Sequence, residues 1–170
     1  MESLNFKIGV CDWKLYRSCF FRYGFFHSNL NFKKELVQNY LSSCAKSKID
    51  IVELGFRFSI LKKGLGPYAF TTERTLNQLI IPNSLKISVM INAADFFGDK
   101  EHTEKLLKKV FVKKKVSKIS LVRIAINFNS FDKGFYITKF LKEYGYEVGY
   151  NLMQAHKKNK NEIKRTLKKI

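Results

Sequence analysis

Five short runs rich in Val, Ile and Phe recur along the chain at nearly even intervals: Lys14–Arg22, Ile49–Phe56, Lys86–Asn92, Ser120–Asn127 and Tyr146–Met153. Polar residues stand where the runs end, and a lysine-rich stretch with helical spacing of its apolar positions follows each. Short apolar runs bounded in this way read as buried strands. Parallel strands need crossover connections long enough to hold a helix. The cadence therefore predicts an α/β fold of about five parallel βα units.

The intervening segments carry the helices. Leu36, Val37, Tyr40, Leu41 and Cys44 form an apolar stripe after Asn31 and Phe32, expected to face the sheet. A loop through Gly64, Gly66 and Pro67 leads to a short helix that opens at Thr72-Glu73 and ends before Pro82. A basic helix is expected over Lys100 to Lys114, with Leu106, Leu107, Val110 and Phe111 on its inner side, and another over Asp132 to Tyr144, closed by Gly145. The segment after Asn159 is polar and weakly patterned, as in a peripheral helix. Residues 1–13 read as an N-terminal extension, 14–156 as an incomplete TIM-like (βα) barrel, and 157–170 as a basic tail or helix. A closed eight-stranded barrel takes about 250 residues, so 170 residues are expected to form only its first part.

Charge changes the picture next. The chain holds 32 Lys and Arg against 14 Asp and Glu, a net charge of +18, which raises the question of a polyanionic partner. Of the basic residues 26 are Lys and only 6 are Arg, whereas base-edge and phosphate recognition favours the arginine fork. A solvated helix surface is the plainer reading, with nucleic acid left open. The 16 Phe and 8 Tyr read as core packing, not as a base-stacking platform. Cys11, Cys19 and Cys44 are odd in number and lack metal-site spacing, which favours reduced structural thiols. With neither a secretory signal nor an apolar run of about 20 residues, the expectation is a cytoplasmic protein without membrane association. Catalytic signatures such as the G-x-S-x-G elbow, the P-loop, G-x-G-x-x-G and C-x-x-C are absent.

Several segments together resemble the N-terminal half of the pyruvate-aldolase and HMG-CoA-lyase-like metallolyases, which are (β/α)8 barrels, and most closely the 4-hydroxy-2-oxovalerate aldolase type. Cys19-Phe20-Phe21-Arg22-Tyr23-Gly24 stands where that family ends its first strand in a cysteine, two residues and Arg-Asp-Gly. Phe32-Lys33-Lys34-Glu35-Leu36-Val37 follows at the family's spacing. Asp50 to Arg57, Gly66 to Phe70 with Glu73, Lys86 to Ala94, Leu121 to Ile126 and Gly145 to Gln154 continue the likeness in order, over about residues 14 to 156.

The resemblance implies carbon–carbon cleavage of 2-oxo acids, in which a divalent Mn or Mg ion polarises a carbonyl and stabilises the enolate. The family's metal-binding aspartate is replaced by Tyr23, and a neutral phenol is a poor hard-cation ligand. The family's His-x-His pair would fall beyond Ile170, and His27, His102 and His156 form no spaced pair. The expectation is no metal and no cofactor: a truncated pseudoenzyme, inactive alone. Arg22 matches the family's enolate-stabilising arginine, and either binds a substrate anion or pairs with Glu53 across neighbouring strand ends. Glu53, Asn92, Arg123 and Asn151 are the candidate substrate-binding residues. Arg57, Asn127 and Gln154 also lie at or near strand ends, where barrel enzymes build their sites. Expected partners are a second copy or a complementing barrel chain, and a small 2-oxo acid as ligand. The alternative function is a non-catalytic module whose lysines bind RNA or another polyanion.

Overall fold

The computed structural model describes residues 18–20, 29–60 and 63–168. Arg22, Tyr23, His27, Cys11 and the extension 1–13 lie outside them, as do Leu61, Lys62 and residues 169–170. Five strands, β1 (Ser18–Phe20), β2 (Ile51–Phe56), β3 (Lys86–Asn92), β4 (Ile119–Asn127) and β5 (Glu147–Met153), form one sheet in sequential order, every neighbouring pair parallel. Among the described residues five α-helices are interspersed with them: α1 (Lys34–Lys46), α2 (Glu73–Asn77), α3 (Lys100–Val110), α4 (Gly134–Glu143) and α5 (Lys160–Leu167). This is the expected α/β fold, an open run of βα units consistent with part of a TIM-like barrel.

Alternation along the strands separates two faces. Val52 and Leu54, Ile87, Val89 and Ile91, Val122, Ile124 and Ile126, and Val148 and Tyr150 join the hydrophobic core together with Val37 and Leu41 of α1, Leu107 of α3 and Ile137 and Leu141 of α4. The alternate positions, among them Glu53, Ser88, Asn92, Arg123, Asn127 and Asn151, belong to the opposite, inner face. Gly55 breaks the β2 ladder, where the register shifts between Glu53 and Phe56. A Cβ there would collide with the carbonyl oxygen of Tyr68.

Helix ends differ from the sequence expectation for local reasons. In α1 the buried side chains are Val37, Leu41 and Cys44, and Leu36 is 53% exposed. At 100° per residue Leu36 lies more than a quarter-turn from the middle of that stripe. The third helix stops at Val110, not at Lys114, because Phe111 turns extended and drops its ring into the core against Tyr146. Phe128–Lys133 forms a 3₁₀ turn before α4, begun by the Asn127 side chain, which accepts from the Asn129 N–H. As expected, Thr72 caps α2 by accepting from Thr75 N–H, and Gly145 ends the α4 turn with φ 92°. The terminal helix α5 opens with a reciprocal capping box between Asn159 and Glu162.

Candidate functional site

The strongest polar feature of the inner face is the ion pair between Glu53 of β2 and Arg123 of β4. Arg123 donates from Nε to Glu53 Oε2 and from Nη2 to Oε1, both at 2.6 Å. Register explains how two side chains from non-adjacent strands meet. Glu53 is opposite Ser88 on β3, and Arg123 is opposite Met90, two positions further along. The small Ser88 side chain, itself buried, lets the guanidinium cross β3 diagonally. Glu53 is only 4% exposed and the Arg123 side chain 15%. A bidentate fork between full charges, largely removed from water, is held tightly and leaves an uncompensated charge if either partner is lost.

At the carboxyl ends of the strands amides predominate. Asn92 donates from Nδ2 to Asp95 Oδ1 at 2.9 Å, within the 3₁₀ turn Ala93–Phe96. Asn127 donates to Gln154 Oε1 at 3.2 Å, which joins the end of β4 to the residue after β5. Asn151 is half-buried on β5, in register with Ala125. The structure thus brings Glu53 and Arg123 into direct contact, and sets Asn92, Asn127 and Asn151 along the same rim without a bond among them. Arg22, which the sequence reading offered either as an anion binder or as a partner of Glu53, lies outside the described residues, among which Glu53 is paired with Arg123.

Arg57 is not part of this rim. It follows the bulge in β2, which turns its side chain towards the helix layer, where it is 2% exposed. Its Nε donates to Thr71 O at 3.1 Å, Nη1 to Val110 O at 2.6 Å and Nη2 to Glu73 Oε1 at 2.6 Å, and the guanidinium carbon lies 5.0 Å from the Phe111 ring centre. Ser117 donates to the same Glu73 oxygen at 2.8 Å. The sequence signal for this clamp was faint: Gly55 two residues earlier marks a bulge, and a bulge re-aims the side chains that follow.

Among the described residues no group of three or more His, Cys, Asp or Glu side chains converges as a metal site would require. Glu53 is held by Arg123, Asp95 accepts from Asn92, His102 lies in the first turn of α3, and His156 lies in the 3₁₀ turn after β5. Tyr23, which stands where the sequence resemblance has its metal-binding carboxylate, lies outside the described residues. Nor is any helix among them long and apolar enough to cross a membrane.

No protein-family model matches the chain, and neither does any curated protein. Among solved structures it is similar to "the N-terminal domain of a putative aldolase" from Bacteroides vulgatus, at 23% sequence identity and a TM-score of 0.62. The match covers 86% of this chain and 48% of the other, so this chain spans about half the length of that domain. The likeness is one of fold. What the two share is the arrangement of parallel strands with crossover helices.

Proposed function

We propose that this chain is an aldolase-type βα module that binds small 2-oxo acids at the carboxyl ends of its strands, and that it does not cleave them unaided. The observation that carries this reading is the Glu53–Arg123 pair on the inner face of a parallel sheet with an aldolase-like fold. The C-terminal end of such a sheet is where barrel enzymes place their chemistry. The sequence resemblance narrows the substrate to the 4-hydroxy-2-oxo acid class and assigns the anion-binding guanidinium to Arg22. In this reading the Glu53–Arg123 fork holds the floor of the site rigid, and Asn92 and Asn151 offer amide donors and acceptors at its rim. Tyr23 stands where the family resemblance has its metal-binding aspartate, and so the reading includes no enolate-forming step.

Titration of the full chain with pyruvate, followed by amide chemical shifts, tests it. Saturable shifts near Asn92 and Asn151, lost in Arg22→Ala, are the expected result. With Mn²⁺ or Mg²⁺ present no aldol cleavage is expected, and Tyr23→Asp alone should not create it, since one ligand does not make a Lewis-acid site. Absence of pyruvate binding would overturn the binding role. Metal-dependent cleavage by the unaltered chain, abolished in Arg22→Ala, would overturn the inactivity.

A further inference from the structure

The opposite end of the sheet, where the strands begin, carries a different surface. Three of the exposed large aliphatic side chains lie there: Ile80 at 79%, Val116 at 67% and Val112 at 38% exposure. They are displayed by rigid backbone. Gln38 clamps Ile80 through both amide atoms, accepting from its N–H at 2.9 Å and donating to its carbonyl at 2.7 Å. Val112 is held by the Tyr146 hydroxyl, which donates to its carbonyl at 2.7 Å, and Val116 closes the 3₁₀ turn Lys114–Val116. Next to Ile80 a shallow cleft of about 330 Å³ is lined by Ile81, Pro82, Asn83, Leu85 and Lys118. Lys118 Nζ donates to Leu76 O and Leu79 O, which fixes one wall and leaves the third N–H of its ammonium to spare. Exposed Lys46 and Lys48 stand at the end of α1 before β2, and exposed Lys113 and Lys115 before β4, at this same end of the sheet, and of the acidic residues there Glu147 is engaged with Lys86.

We infer that this end is a docking surface for an acidic segment of a partner protein carrying a bulky aliphatic side chain. Charge complementarity selects the acidic character, because lysines outnumber carboxylates here and lie at the rim. The cleft selects the aliphatic side chain, because Ile81, Pro82 and Leu85 supply the larger share of its lining and Asn83 and Lys118 the rest. Nucleic acid fits less well: the exposed side chains named here include neither Arg nor an aromatic ring, the groups that read bases and stack on them. A bilayer surface would use the projecting tips but not the cleft. This surface is remote from the strand ends that carry the proposed 2-oxo acid site, so the two readings stand or fall separately.

Fluorescence anisotropy with a labelled peptide of repeated Glu-Glu-Leu units, and with its counterpart in which serine replaces leucine, tests the proposal. The leucine peptide should bind at least about tenfold more tightly, the effect of burying one aliphatic side chain. Asn83→Trp, which fills the cleft, should abolish that preference, and Ile80→Ser, which removes the exposed aliphatic side chain preceding the cleft residue Ile81, should abolish it as well. Lys113→Glu with Lys115→Glu should weaken both peptides. All these positions are exposed, and unchanged melting temperatures will show that the variants fold. Equal affinity for the two peptides, no binding of either, a preference that survives both cleft variants, or tighter binding to oligouridylate or phosphatidylserine vesicles would overturn the inference.

Discussion

At Arg57 and at Arg123 the same residue type, a guanidinium out of bulk water, does two different jobs. Arg57 spends its donors on two backbone carbonyls and on Glu73, so it ties the end of β2 to α2 and to the last turn of α3. Arg123 spends two donors on one carboxylate within the sheet. Removing it strands a charge: Arg123→Ala should lower unfolding stability by about 3–5 kcal/mol, because Glu53 would stay buried without its cation. The double variant Glu53→Leu with Arg123→Met should recover most of that loss. Urea denaturation of the single and double variants measures the coupling. A double variant no more stable than Arg123→Ala would mean that the pair is not the source of the effect.

Among the elements, β2 is the one whose irregularity matters most. Its bulge places Glu53 on the inner face and Arg57 among the helices, and Gly55 makes that shift sterically feasible by leaving room for Tyr68 O. Gly55→Ala should therefore destabilise the chain by more than the roughly 1 kcal/mol typical of a point substitution, since backbone must move to admit the methyl group. Gly64→Ala, where an added Cβ would meet nothing within 4 Å but φ is +82°, should be milder. Thermal melting of the two variants compares them, and equal losses would point to φ, not collision, as the cause. The strands β2 to β5 were legible because each is a short run, bounded by polar residues, whose alternate positions set Val, Ile, Leu or Tyr into the core. Helix ends were less so, since Phe111 leaves α3 for a tertiary contact with Tyr146 that no local spacing announces.

For the molecule as a whole, several tyrosines link stability to pH. Burial pushes the hydroxyls of Tyr68, Tyr146 and Tyr150 above their ordinary value of 10.0. Tyr150 is hydrogen-bonded to Thr138 and Tyr146 to Val112 O. Each folded-state value exceeds the unfolded one, so the stability these groups contribute is complete below the unfolded value. It declines as pH rises towards the folded values, because the unfolded chain releases its protons first. Urea midpoints should hold steady up to about pH 9 and then fall. Tyr146→Phe and Tyr150→Phe should each flatten the decline, and an unchanged slope in both variants would assign it to other groups.

The sequence by itself determined the succession of parallel βα units and the order of the strands, because hydrophobic periodicity and crossover length are local properties of a chain. It also named Glu53 and Arg123, each from its place on a predicted strand. What only the tertiary structure decided is which partner each charge meets. Glu53 finds Arg123 seventy positions away, across a strand whose facing residue happens to be small, and Arg57 turns into the helix layer because one glycine shifts the register. Pairings of that kind depend on the relative height of non-adjacent strands and on the face a bulge selects, and neither quantity exists until the sheet has formed.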